Sequence, residues 1–205
     1  MEQMSEEWFA ARVGKCTASK INDVMARLKG GGEAAGRRNY RVQLAVERMT
    51  GQKAETFCSG PMQWGVEKEP FAREAYEFVT GRSVEQVGFV DHAHIEMAGC
   101  SPDGLVGADG MIEIKCPNTS THVEWLLAKS VPSEHLNQML FQMDCCKRQW
   151  CDFVSYDPRM PVALQLFIVR LVRDEAAIEK IRYEVIALLE EVSEMVAQLE
   201  NAIAA

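Results

Sequence analysis

Apolar residues recur at helical spacing over the first third of the chain, switch to alternation from about position 84, and return to helical spacing at the C-terminal end. Trp8, Phe9 and Val13 follow Ser5, Glu6 and Glu7, a capping residue and two first-turn acids, and predict a helix over 5–14. A second helix opens at 17–19 and runs to about Leu28, since Ile21, Val24, Met25 and Leu28 fall at i, i+3, i+4 and i+7; Gly30-Gly31-Gly32 stops it. Tyr40, Leu44 and Met49 mark a third helix, closed by Thr50-Gly51. After a turn at Ser59-Gly60-Pro61, residues 62–65 lead into a fourth. Its first turn holds Pro70, where no N–H is needed, and it turns Phe71, Ala75, Phe78 and Val79 inward before Thr80-Gly81.

The alternating part predicts a sheet. Residues 84–90 read as one strand and 97–103 as another, with His92, His94 and Glu96 in the connecting turn. Leu105-Val106 and 111–115 flank Gly107-Ala108-Asp109-Gly110, and an Asp-Gly step between apolar segments is a strong hairpin signal. A short helix carries Val123, Trp125, Leu126 and Leu127, and Val131-Pro132 breaks the chain before another over 133–147. Strands at 151–156 and 164–171 are joined by Asp157-Pro158-Arg159, and Ile178, Ile181, Val185, Leu188, Val192, Met195 and Leu199 repeat along a final helix. The expected fold is α/β: a central mixed five-stranded sheet flanked by helices. One domain spans 1–205, with a helical N-terminal third (1–82), a sheet core (83–173) and a C-terminal helix (174–205).

Length and an apolar share of 47% suffice for a substantial core. The chain lacks a basic start followed by an apolar run and has no membrane-length apolar window, so a soluble cytoplasmic protein with no membrane partner is expected. Seven cysteines, an odd number without C-x-x-C pairs, read as reduced thiols; a zinc or iron–sulfur site on Cys145, Cys146 and Cys151 has poor ligand spacing. The net charge of −8 argues against broad nucleic-acid affinity until it is mapped along the chain. Residues 12–53 hold ten Lys and Arg against Asp23, Glu33 and Glu47, a net of +7. That segment is either a basic face for a polyanion or a solvated helix surface.

The candidate chemistry lies in the predicted hairpin. Asp103 and Glu113 can converge across paired strands, and Glu113 and Lys115, two residues apart, share a face, while Ile112, Ile114 and Cys116 point the other way. Two acids and a lysine on an apolar sheet are costly to bury as mere structure and suit a divalent cation. Hard oxygen ligands favour Mg²⁺, with Mn²⁺ able to substitute, and two ions would stabilise both attacking and leaving oxygens; the Ile114 carbonyl is a further ligand. The plain alternative is an exposed Glu/Lys face. Glu69 is accounted for equally well by a helix first turn, and His92 and His94 by the surface.

Cys100-Ser101-Pro102-Asp103-Gly104-Leu105, followed after nine residues from Asp103 by Glu113-Ile114-Lys115-Cys116-Pro117, resembles the PD-(D/E)xK nuclease signature and, in this longer form, the bacteriophage lambda exonuclease or YqaJ family. Matches at 8–12, Thr17-Ala18-Ser19, Trp64-Gly65 with Glu69, Ala72-Arg73, Glu77-Phe78, Thr80-Gly81, Gln138 and Tyr156-Asp157-Pro158-Arg159-Met160 extend it to about residue 173. The resemblance implies a restriction-endonuclease-like core and a Mg²⁺-dependent, processive exonuclease that degrades linear double-stranded DNA from 5′-phosphorylated ends. It implies that Glu69 joins Asp103, Glu113 and Ile114 in the metal site, that Gln138 and Lys115 are active-site residues, and that Arg12, Ser19 and Thr17 bind the 5′ phosphate. Met62 would be the wedge that splits the terminal base pair, and Arg27, Lys29, Arg37 and Arg38 would contact DNA. A homotrimeric ring and a single-strand annealing protein are the implied partners. The family's second glutamine falls where this chain has Leu140, so no role passes to Gln142. The rival readings are a nuclease of the same core with other polarity, such as a CRISPR-associated enzyme, and a non-catalytic DNA-end binding module.

Overall fold

The computed structural model describes residues 3–30, 32–54 and 60–204; Gly31 of the glycine run, Ser59 of the predicted turn and Cys58 lie outside them. Ser5 caps α1 (Glu6–Arg12), its Oγ accepting from the Trp8 N–H at 3.2 Å. A short strand β1 (Cys16–Thr17) and a 3-10 turn precede α2 (Ile21–Met25), which is shorter than predicted. Ala26 is extended, and Arg27 pairs with Glu184, so Leu28 ends up exposed instead of continuing the apolar face. The third helix begins earlier than expected, as α3 (Ala35–Thr50), and ends at Gly51 with φ +67°.

The fourth helix differs most. α4 (Gly60–Thr80) places Pro70 in its interior, so Glu67 and Glu69 are not first-turn residues, and the helix-dipole account of Glu69 fails. Phe71, Phe78 and Val79 are exposed. Only the narrow stripe of Ala72 and Tyr76, four residues apart, is fully buried on this helix, because α4 meets the sheet along a single line.

The predicted strand at 84–90 is two strands, β2 (Val84–Glu85) and β3 (Val90–Asp91), which join different sheets. β4 (Ala98–Cys100) lies between β1 and β3 in a three-stranded sheet. The five-stranded sheet runs β2, β5 (Gly104–Val106), β6 (Gly110–Lys115), β7 (Trp150–Tyr156), β8 (Leu166–Val172), mixed as expected. Within this sheet only β6 and β7 are parallel, which requires a crossover, and α5 (Thr119–Ala128) and α6 (Ser133–Cys145) supply it.

Strand β6 divides the core. Met111 packs with Phe153 in the larger cluster, which includes α6 and the buried stripe Ile178, Ile181, Val185, Leu188 and Val192 of α7 (Glu175–Ala204). Ile112 and Ile114 pack with Val154, Ala72 and Tyr76 on the opposite face. A one-residue slip would exchange the two faces and bury Glu113 and Lys115 against α4, so packing on both sides fixes their direction.

His92 is not at the surface. Its Nε2 lies 2.9 Å from Asp144 Oδ2, while Nδ1 accepts the N–H groups of His94 and Ile95. Burial opposes the Asp144 carboxylate, but His92, Arg182 and Arg173 overcome it and hold the group well below the usual carboxylate range. The six cysteines among the described residues are free thiols. No helix among those residues is long and apolar enough to cross a membrane.

Candidate active site

The β5–β6 hairpin turns through Gly107, whose φ of +57° suits glycine. Gly104 allows the close crossing with β2: a Cβ there would lie 2.1 Å from Val84 Cγ1. The β5–β6 ladder ends at the Gly104–Ile112 pair, and beyond it the Ile114 N–H donates to Asp103 Oδ2 at 2.6 Å. The carbonyl of a strand residue points to the same side as its N–H, so the Ile114 carbonyl also faces Asp103.

Glu113 projects from the face of β6 that looks towards α6. Its Oε1 accepts from Lys115 Nζ and from Gln138 Nε2 at 2.6 Å, and its Oε2 accepts from Gln142 Nε2 at 2.8 Å. Glu69 comes in from α4, held by Arg73 at 2.5 Å. Burial and then the charge of Glu113 push the Asp103 carboxyl well above its ordinary value; Glu69 is raised by burial against the pull of Arg73. Burial opposes the Lys115 ammonium, but Glu113 and Asp103 outweigh it and raise the group above the usual lysine value. The acids are short of positive charge.

A cavity of about 180 Å³ opens onto Asp103, Glu113, Lys115, Gln138 and Gln142, and also onto Arg12 and Ser19. Arg12 Nη1 donates to Ser101 Oγ at 2.9 Å, and its guanidinium lies 4.2 Å from the Trp8 ring centroid. Trp8 Nε1 donates to the same hydroxyl at 2.9 Å, so Ser101 ties α1 to the segment that carries Asp103. Gln3 lines the cavity and donates to the Pro102 and Val87 carbonyls.

Residues 7–149 match the YqaJ-like viral recombinase domain. The chain belongs to the YqaJ-like viral recombinase family. Among solved structures, it is similar to two of the alkaline exonuclease LHK-Exo from Laribacter hongkongensis, one of them in complex with dAMP. Each is 47% identical, with a TM-score of 0.91 and 98% of both chains covered. A phage-related exonuclease from Haemophilus somnus, 16% identical with a TM-score of 0.73 over 90% of this chain and 96% of the other, shares the fold. A comparison with curated proteins finds no match.

The structure gathers most of the expected YqaJ site residues. Asp103, Glu113, Lys115, Gln138, Arg12 and Ser19 line one cavity, and Glu69 is near enough to act on the charge of Asp103. Thr17 stands behind it: the residue is buried, and its Oγ1 lies 3.4 Å from Ser19 Oγ. Met62 is 54% exposed near the start of α4 and does not line the cavity.

The basic segment needs correction. Arg37 is buried, with Nη1 and Nη2 on the Glu191 carboxylate at 2.7 and 2.8 Å and Nη1 on Glu33 at 3.0 Å, and so cannot face DNA. Arg27 is engaged by Glu184. The acids of α7 neutralise much of the charge that sequence counting left open. Lys29 and Arg38 are exposed and, among the described residues, form no ion pair.

Sequence reasoning missed Ser101 as the link between Trp8 and Arg12, Gln3, and the contact of Gln142 with Glu113. Only the last left a signal: Gln138 and Gln142 are four apart and share a helix face.

Among the described residues, no three His, Cys, Asp or Glu side chains stand close enough to grip a metal ion as they are. Glu69 is drawn to Arg73, and both Glu113 oxygens are occupied by donors. The donor set nonetheless fits a hard divalent cation. Asp103 and Glu113 bring carboxylate oxygens to the cavity, the Ile114 carbonyl faces Asp103 beside it, and Mg²⁺ is commonly held by one or two carboxylates with water completing its shell.

Proposed function

We propose that this YqaJ-family chain is a Mg²⁺-dependent, processive exonuclease that digests linear double-stranded DNA from its 5′ ends and leaves 3′ single-stranded overhangs. The carrying observation is the shared cavity: the Asp103, Glu113 and Lys115 cluster opens onto the same space as Arg12 and Ser19. Cleavage groups therefore adjoin a guanidinium suited to a terminal phosphate. The similarity to the alkaline exonuclease LHK-Exo supports this reading, as does that protein's complex with dAMP, a mononucleotide of the kind an exonuclease releases.

Asp103, Glu113 and the Ile114 carbonyl would hold Mg²⁺, or Mn²⁺ in its place, with Glu69 joining on release from Arg73; there is room in the scheme for two ions. When bound, the cation supplies Lewis-acid polarisation of the phosphoryl group and a water of lowered pKa. Glu113 and Asp103 raise Lys115 above the usual lysine value, and its ammonium would orient the attacking water and offset phosphorane charge. Gln138 keeps Glu113 Oε1 in place. Arg12, steadied by Ser101 and Trp8, holds the 5′ phosphate with Ser19, which sets the end from which cutting starts.

Met62 and the exposed Lys29 and Arg38 complete the proposal as DNA contacts. A homotrimeric ring would explain processivity. Phe71 and Phe78, two turns apart on one face of α4, leave an apolar surface that suits contact between subunits. An annealing protein for the 3′ strand is the expected partner, in the cytoplasm of a bacterial host.

The decisive experiment is digestion of an end-labelled linear duplex with and without Mg²⁺. Nucleotide release from 5′-phosphorylated ends, absent in EDTA, is expected; no release at any Mg²⁺ or Mn²⁺ concentration overturns the enzyme reading, and release from the 3′ end overturns the polarity. A monomeric mass in solution at assay concentration removes the ring.

A further inference from the structure

Two glutamines on α6 hold the two oxygens of Glu113, and they differ in kind. Gln138 is half-buried on the cavity wall and reaches Oε1, which it shares with Lys115. Gln142, one turn further into the molecule, is 1% exposed and is the donor on Oε2. Its orientation is fixed: a carboxylate only accepts, so the amide nitrogen must face Glu113. The amide oxygen is then left buried, with no hydrogen-bond partner.

A buried acceptor without a partner is unfavourable, since it has given up water and gained nothing in return. Met139 and Met143 beside it are wholly buried in the apolar core, so position 142 tolerates a polar group against its surroundings. A residue serving packing alone would be apolar there. The amide earns its place through the contact its nitrogen makes.

We infer that Gln142 is a positioning residue for the proposed nuclease reaction: by tying down Glu113 Oε2, it fixes the carboxylate's rotation and presents Oε1 to the cation site. The inference rests on the proposed nuclease reading. If Oε2 is tied, the carboxylate has one working oxygen and one setting. Without Gln142, the group turns about its terminal torsion, which is broad for an unrestrained glutamate. Lys115 and Gln138 then follow the wrong oxygen. Supporting donors of this kind typically change metal affinity or activity by about 10- to 100-fold.

The test compares wild type with Gln142→Met, which keeps the length and bulk of the side chain but removes the amide. Mn²⁺ alone is titrated by calorimetry, and steady-state digestion of a 5′-phosphorylated duplex is followed separately. Gln142→Met should keep a melting temperature near that of wild type, bind Mn²⁺ about 10-fold more weakly, and lower kcat by about 10- to 100-fold with KM for DNA nearly unchanged. A folded variant with unchanged Mn²⁺ affinity and kcat within twofold of wild type overturns the inference. If Gln142→Met does not fold, Gln142→Asn, one methylene too short to reach Oε2, carries the same comparison with the same outcomes. Failure of both to fold would make Gln142 a folding requirement and also overturn the positioning role. A wild-type protein that binds Mn²⁺ but cuts no DNA would sink the nuclease reading alone, and the Mn²⁺ titration would still decide Gln142.

Discussion

Strands β6 and β7 each bury a carboxylate, Glu113 and Asp152, and the two are completed in opposite ways. Asp152 pairs in register with Ile112, so it projects on the face opposite to Glu113. It receives Arg170 on both oxygens at 2.7 and 2.8 Å and the Tyr76 hydroxyl at 2.8 Å, and Arg170 itself lies 3.6 Å from the Trp150 ring centroid. One acid meets one guanidinium, and the charge is closed. Glu113, Asp103 and Glu69 share Lys115 and Arg73 between them, three acids for two bases. A buried charge matched by its own permanent partner is architecture; a buried cluster left acidic is where a cation belongs. Arginines divide in the same way, since Arg170 is paired, whereas Arg12, among the described residues, has the Ser101 hydroxyl and the Trp8 and Phe89 rings but no carboxylate.

The largest effect expected from this contrast is at Lys115. Lys115→Ala should slow cleavage about 10³-fold, the loss of an electrostatic stabiliser, while duplex binding in the presence of Mg²⁺ changes little. Single-turnover digestion and filter binding measure the two arms. Turnover near the wild-type rate would mean that the acidic cluster is not a catalytic one.

Arg12→Ala should cost less, about 10- to 100-fold, as expected for one charge-assisted contact of about 1.5–3 kcal/mol, and only on phosphorylated ends. The variant and wild type are compared on duplexes with 5′-phosphate and 5′-hydroxyl termini. Equal loss on both ends would assign Arg12 to general architecture, alongside Arg170.

Asp152→Asn is the converse. It leaves Arg170 without its carboxylate and should lower stability by about 2 kcal/mol, less than the roughly 3–5 kcal/mol of a fully buried pair because Arg170 is partly exposed. Digestion rates should stay within about threefold of wild type. Urea unfolding and the nuclease assay together read this, and a stable variant with lost activity would erase the distinction between the two carboxylates.

How much of this was legible in sequence follows the range of the interactions. The hairpin and its acids were readable because period two and an Asp-Gly turn are local, and Gln138 and Arg12 came with the family resemblance. The five-strand count was right, but the 84–90 run was divided between two sheets by pairing partners distant in sequence, Val106 and Cys100. Pro70 misleads because a proline at a helix start is the local expectation, whereas α4 runs from Gly60 and keeps Pro70 on its exposed side. Arg37 and His92 were misjudged for one reason: Glu191 and Asp144, the acids that bury them, are 154 and 52 residues away. Charge counted along a chain does not show which charges are already spent within the fold.

A third buried carboxylate gives the smallest effect and a direct pH signature. Asp157, in the β7–β8 connection, accepts from the Arg159 backbone at 3.0 Å and from its guanidinium at 2.7 and 3.1 Å. Burial opposes its ionisation, but Arg159 and Thr119 outweigh it and bring its pKa down to about 2 from an ordinary 3.8. Because the folded value is the lower one, the unfolded chain takes up the proton first as pH falls. The stabilisation is complete above about pH 4 and disappears as pH drops towards about 2. Arg159 is partly exposed, so solvent screening limits the contribution to about 1–2 kcal/mol. Asp157→Asn should therefore be less stable than wild type at neutral pH, and the gap between their urea midpoints should narrow from pH 4 to pH 2. A gap that stays constant over that range would show that the asparagine loses packing or hydrogen-bond geometry, and that Asp157 is not held by charge in the way Asp152 is.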